Sequence, residues 1–239
     1  MAEHQVLKRM VLLAGAMLGC LCAFVGLMLS VGAVLQHTGI QGIFPVSDGA
    51  ESIRLPCRVA GTDLIAQQLV MYEGPYLENG SDTPVTDIIG LILYNDGQQE
   101  IAQAEVTLTV GEKLTFFASN IMPGMRVLVL ESEAKAWRED PITACSGVVN
   151  VERQSTLSEQ SLKMDILDMG TLSVTNTTQE KLTDIWLFYK NYVPEGELYV
   201  GGITYIDTIE SLEPGQTVQI KPDRYAAGYS RIIKARIVP

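Results

Sequence analysis

One β pattern occurs twice in this chain at a fixed spacing, and that repeat constrains the fold more than any other feature. Leu91, Leu93 and Asn95, followed by Ile101, Ala104, Val106 and Leu108, return 81 residues later as Leu172, Val174 and Asn176, followed by Leu182, Ile185, Leu187 and Tyr189. Further on, Ile121, Pro123, Gly124 and Val127 are echoed by Leu212, Pro214, Gly215 and Val218 at an offset of 91. The second copy therefore holds ten extra residues, which fall at Asn191 to Gly201. Within the runs, apolar residues alternate with polar ones, as Ala104, Val106, Leu108 and Val110 do with Glu105, Thr107 and Thr109. A period of two gives each strand one buried and one wet face, the pattern of packed antiparallel sheets rather than a parallel sheet. Pro-Gly pairs preset the turns. The repeat predicts an all-β chain of two tandem antiparallel β-sandwich modules. No stretch past residue 50 sustains a 3.6-residue period for three turns, and the best helical candidate is Ser132 to Glu139.

A second feature divides the chain by compartment. Met10 to Leu35 contains no charged residue, and 26 helical residues reach about 39 Å, enough to cross a hydrocarbon core of about 30 Å with tilt. Lys8 and Arg9 precede the run, and Asp48 is the first charge after it, which places the N-terminus in the cytoplasm and the remainder outside. A cleaved signal peptide with Ser30-Val31-Gly32 as its small-residue site is the competing reading, but its apolar region would be shorter. The expected organisation is a cytoplasmic tail (1–9), a transmembrane helix (10–35), a stalk (36–50), a first sandwich (51–149), a polar linker (150–161) and a second sandwich (162–239). Gly15, Gly19, Ala23, Gly26 and Ser30 form a small-residue stripe that suits helix–helix packing in lipid.

Charge narrows the partners. The chain carries a formal net charge of -11, and without Glu3, Lys8 and Arg9 it holds 15 basic against 27 acidic residues. Nucleic acid is a poor partner for such a surface. Membrane lipid, through the N-terminal helix, and a protein or cell-surface glycan remain. Cys20 and Cys22 lie in the apolar run, while Cys57 and Cys145 lie outside. A bridge between the outer pair is expected in an oxidising compartment, where closing a loop of about 90 residues contributes up to roughly 4.5 kcal/mol in the chain-entropy model.

Candidate sites are few. His4 and His37 are the chain's two histidines, so the outer part cannot assemble a Ser-His-Asp or Cys-His mechanism or the usual zinc ligands. The sequence contains no GxSxG, HExxH, P-loop or dinucleotide fingerprint. No cofactor is expected and the chain does not read as an enzyme, a carboxylate pair acting on glycans being the least favoured reading. Glu78, Asp82 and Asp87 supply oxygen ligands of the kind calcium takes, without EF-hand spacing. Tyr72, Tyr76, Tyr192, Tyr199 and Tyr205 are candidates for a binding face, since tyrosine offers large contact area at small entropic cost.

The second copy resembles a known family. Gly170 to Asn176 (GTLSVTN), Leu182 to Tyr189 (LTDIWLFY) and Ile209 to Gly215 (IESLEPG) are similar to the FxLYD-type immunoglobulin-like domains of bacterial surface proteins. The usual Tyr-Asp is here Tyr189-Lys190. The whole layout, with Tyr72 to Tyr76 (YEGPY) and Gly201 to Tyr205 (GGITY), also resembles uncharacterised membrane-anchored proteins of Gram-positive anaerobes. These resemblances imply immunoglobulin-like modules and no particular activity. The sequence thus predicts a single-pass, outward-facing envelope protein with non-catalytic interaction or spacer modules. An accessory subunit held to a membrane complex by its helix is the alternative.

Overall fold

The computed structural model describes residues 52–238, apart from 60, 80–82, 152–156, 158–160 and 169. The expected tail (1–9), transmembrane helix (10–35) and stalk (36–50) and Asp82 therefore lie outside the described residues, as do Gly15, Gly19, Ala23, Gly26 and Ser30. Among the described residues no helix is long and apolar enough to cross a membrane.

The chain is all-β. The first repeat forms β1 (Cys57–Arg58), β2 (Leu64–Tyr76), β3 (Thr83–Asn95), β4 (Ile101–Val110), β5 (Glu112–Ile121), β6 (Arg126–Leu130) and β7 (Ile142–Val151). The second forms β8 (Leu162–Ile166), β9 (Leu172–Asn176), β10 (Leu182–Val193), β11 (Leu198–Leu212), β12 (Thr217–Ile220) and β13 (Ser230–Ile237). In the first repeat β3 lies between β2 and β6, and β4 lies between β5 and β7; in the second, β9 lies between β8 and β12, and β10 between β11 and β13. Each repeat thus arranges its strands in the same way in two sheets.

The repeated residues form the cores. All seven positions in each copy are buried, because alternate positions of a strand share one face. Leu91, Leu93, Val106 and Leu108 join one cluster drawn from both sheets of the first repeat. Leu172, Val174, Ile185 and Leu187 join its counterpart in the second. This is the arrangement of packed sheets, consistent with β-sandwiches.

The two asparagines do more than end a strand. Asn95 Nδ2 donates to the carbonyls of Gln99 and Ile121, both at 2.8 Å, and its Oδ1 accepts from Gly97 N–H at 3.0 Å. Asn176 Nδ2 donates to Glu180 O at 2.7 Å and Leu212 O at 3.0 Å, and Oδ1 accepts from Thr178 N–H at 2.9 Å. The Pro-Gly turn then closes on the same residue, Gly124 N–H on Asn95 O and Gly215 N–H on Asn176 O, both at 2.9 Å. One buried amide therefore ties the end of one strand, the following loop and the next turn, satisfying groups that would otherwise be costly to bury.

The repeats share a sheet. A seven-stranded sheet runs in the order β1-β2-β3-β6-β11-β10-β13, with β6 and β11 paired in parallel through Tyr199 opposite Val127 and Val200 opposite Leu128. The segment 150–161 is therefore not the only connection between the repeats.

Two expectations are corrected. Ser132 to Glu139 is not helical: it is a turn held by Glu131, whose Oε2 accepts from Glu133 N–H at 2.8 Å and Lys135 N–H at 3.1 Å, followed by a bridge of Ala136 to Ile88. Cys57 and Cys145 are free thiols rather than a disulfide. Cys57 lies on the edge strand of one sheet and Cys145 on the edge strand of the other, and the two are not joined. The neighbouring Cys145 thiol holds Cys57 below its ordinary range, and Cys57 together with burial holds Cys145 above it.

Candidate functional site

β5 is the edge strand of its sheet and β6 the last strand that the first repeat contributes to the other, and β11 of the second repeat packs against both. The ten extra residues lengthen the β10–β11 hairpin, so that its returning arm reaches the first repeat. There the chain comes so close that a Cβ on Gly202 would stand 1.8 Å from the Phe117 carbonyl oxygen. Only glycine fits that approach. Ser119 Oγ donates to Gly202 O at 3.2 Å, and Thr204 Oγ1 donates to Ser119 O at 3.1 Å.

Charged groups fix this contact. After β2 the chain makes a short 3-10 turn, Leu77–Asn79, which carries Glu78 beneath β11. Its Oε1 accepts from Leu130 N–H at 2.8 Å, and both oxygens lie 2.9 Å from Gly202 N. Lys190, a fully buried residue of β10, donates from Nζ to Gly202 O at 3.0 Å and Ile203 O at 2.8 Å. Burial pulls the Lys190 amine down to about 7, with the Glu78 charge opposing. Burial pushes the Glu78 carboxyl above its ordinary range, against the hydrogen bonds from Leu130 and Gly202 and the nearby Lys190. A second buried pair spans the repeats, Lys234 of β13 donating to Glu100 Oε1 of the β3–β4 loop. Lys234 Nζ also lies 4.5 Å from the centre of the Phe188 ring.

Beside this joint lies a groove of about 560 Å³, lined by Glu78, Gly202 and Ile203 on one side and by outer-face residues of the β5-β4-β7 sheet, among them Glu105, Phe117 and Val148, on the other. Phe117 is 52% exposed and Val148 65%. Two carboxylates thus line one concavity. Glu78 is already committed to main-chain N–H groups, so it serves as a bracket, whereas Glu105 has no ion-pair partner among the described residues.

The tyrosines singled out by sequence do not assemble one face. Tyr76 is buried at the groove and donates to Glu131 O at 2.8 Å, while Tyr72 donates to Pro75 O at 2.9 Å. Burial, with Glu78 adding, pushes both phenols up to about 12. Tyr192 and Tyr199 pack edge to face at 5.0 Å, with Arg231 3.6 Å over the Tyr192 ring. Tyr205 lies against Tyr189 at 5.5 Å in the second core. Of the calcium candidates, Glu78 is in the joint, and Asp87 takes a positive φ of 56° while its carbonyl accepts from Trp137 N–H at 2.6 Å. Among the described residues no group of three or more His, Cys, Asp or Glu could hold a metal ion.

Lys190, Gly202, Glu105 and Phe117 escaped the sequence reading. One signal was available: Lys190 continues the alternation Trp186, Phe188, Lys190, Tyr192 on the outer face of β10. Large aromatic residues at Trp186, Phe188 and Tyr192, on the strand face opposite the core, mark a face that another part of the chain covers. Comparison with family models and with curated proteins finds no match to this chain.

Proposed function

We propose that this is a membrane-anchored, extracytoplasmic protein whose two tandem immunoglobulin-like sandwiches, the second of FxLYD type, form a non-catalytic interaction and spacer module at the cell envelope. The strand orders support the module type: β2-β3-β6 facing β5-β4-β7, and β8-β9-β12 facing β11-β10-β13, correspond to the A-B-E and C′-C-F neighbours of an immunoglobulin-like sandwich. The observation that carries the reading is the joint. Glu78 of the first repeat accepts from Gly202 N–H of the second, whose carbonyl Lys190 holds from within the second repeat, so that the pair acts as one stiff body. A stiff body on a short stalk holds a surface at a set height above the bilayer, which suits a spacer that presents a binding face.

The commitment of Glu78 to main-chain donors supports a non-catalytic role, since a general acid must be free to reach substrate. Protease added to intact cells tests the location. Cleavage between residues 150 and 161 on whole cells is the expected result; cleavage there only in inverted vesicles overturns the proposal.

A further inference from the structure

The groove beside the joint is apolar and negatively charged, and that combination selects a partner. In the register of the β5-β4-β7 sheet, Glu105 stands directly between Phe117 and Val148. Side chains opposed on one sheet face have Cβ atoms about 5 Å apart, so a carboxylate is set between an exposed ring and an exposed isopropyl group. The neighbouring row places Gln103 between Ser119 and Asn150, two amides and a hydroxyl on the same face. No Lys, Arg or His lines the groove.

Resting on the reading of this chain as an interaction module, we propose that the groove receives an extended, basic segment of a partner protein, with a lysine or arginine side chain entering between Phe117 and Val148 to meet Glu105. The long aliphatic stem of such a residue covers Val148 and the ring edge while its head reaches the carboxylate. A cation over the Phe117 face gains from the ring quadrupole. Gln103 and Asn150 offer both donors and acceptors, which an extended main chain with unpaired N–H and C=O groups can use. The acidic balance of the whole chain, at -11, attracts a basic segment and repels an acidic one. A neutral glycan would stack on Phe117 and donate hydroxyls to Glu105 but carries no charge, so preference for a cationic over an anionic ligand separates the two partner classes.

The test is fluorescence anisotropy with the full-length chain in neutral detergent micelles, protein-free micelles being subtracted. The probes are a labelled hexapeptide alternating lysine with valine and its glutamate–valine counterpart. The lysine peptide is expected to bind at least about tenfold more tightly than the glutamate peptide. Glu105→Lys and Phe117→Ser should each weaken it about fivefold or more, while Glu195→Lys, the same charge change at an exposed turn outside the groove, leaves it unchanged. Failure of the lysine peptide to bind, equal binding of both peptides, or equal weakening by Glu195→Lys and Glu105→Lys each overturns the proposal. A chain that protease cuts on intact cells but that does not discriminate between the peptides keeps its envelope role and loses this site.

Discussion

The hairpin that joins β4 to β5 turns on one residue, Gly111, at a φ of 66°, whereas its counterpart between β10 and β11 runs on through Pro194–Gly196 before the chain returns. The framework residues at matched positions are buried in both copies, and each asparagine amide bonds two carbonyls and one main-chain N–H, Asn176 Oδ1 also accepting from the Thr178 hydroxyl at 2.7 Å. The difference shows how a repeated unit acquires a relation to its copy. The framework residues make the packed sheets of each repeat, and excess length in a single hairpin makes the joint. In the first repeat the exposed edges of β5 and β6 would invite pairing with other chains; here the extended β11 occupies them.

If the joint depends on β11 reaching the first repeat, crowding that approach should have the largest effect. Gly202→Val places a branched side chain where even a methyl meets the Phe117 carbonyl at 1.8 Å and Val129 at 3.0 Å. The contact is to backbone, so it cannot be relieved by turning a side chain. The expected cost is more than about 3 kcal/mol, because overpacking at a rigid site forces the elements apart. The two repeats should then melt separately, giving two calorimetric transitions in place of one. A single unshifted transition would show that β11 is not what holds the repeats together.

The likeness of the two copies can be tested at the asparagines. Asn95→Ala and Asn176→Ala each strip one buried carbonyl, one half-buried carbonyl and one N–H of their partners, a loss of about 3 kcal/mol from the usual penalty for orphaned groups. Urea unfolding should give costs for the two variants within about 1 kcal/mol of each other, since the two carbonyl bonds and the main-chain N–H bond are matched and the extra Thr178 hydroxyl at Asn176 also has Glu180 O as a partner. A large inequality would mean that one of the two brackets is braced by its surroundings and that the copies are equivalent in geometry alone.

These contrasts also explain what could be read in advance. Strand alternation and the repeat were legible because they depend on residues within one strand, as Val106 and Leu187 illustrate: each is apolar at its core position whatever lies elsewhere. The ten extra residues were visible too, but only as length. Their purpose was not, because pairing of β11 with β6 links residues some 70 positions apart and leaves no periodic trace. Glu78 looked like a loop carboxylate suited to calcium, since nothing near it in sequence announces Gly202 N–H as its partner. Cys57 and Cys145 illustrate the converse limit: sequence brought the right residues together, but a bond length is decided by the packing of two sheet edges.

The smallest expected effect concerns the charge inside the joint, and its sign can be derived. Lys190 has a folded value of about 7 against an ordinary 10.5, so between those limits the unfolded chain binds more protons than the folded one. Stability should therefore rise with pH across that window, by up to about 1.4 kcal/mol per unit. Above pH 10 the trend reverses, because Tyr72 and Tyr76, raised to about 12, keep protons that the unfolded chain releases. The lowered Cys57 thiol adds a rise of the same sign as Lys190 below pH 9. Comparison of the native chain with Lys190→Met, which leaves the thiol in place, isolates the amine. Between pH 7.5 and 9.5 the native chain should gain about 2 kcal/mol more than the variant in urea unfolding. Parallel curves would mean that the amine in the joint keeps its proton throughout, held by Glu78 more strongly than burial opposes it. The first repeat has Thr109 where the second has Lys190, so any such pH response belongs to the joint and not to the shared framework.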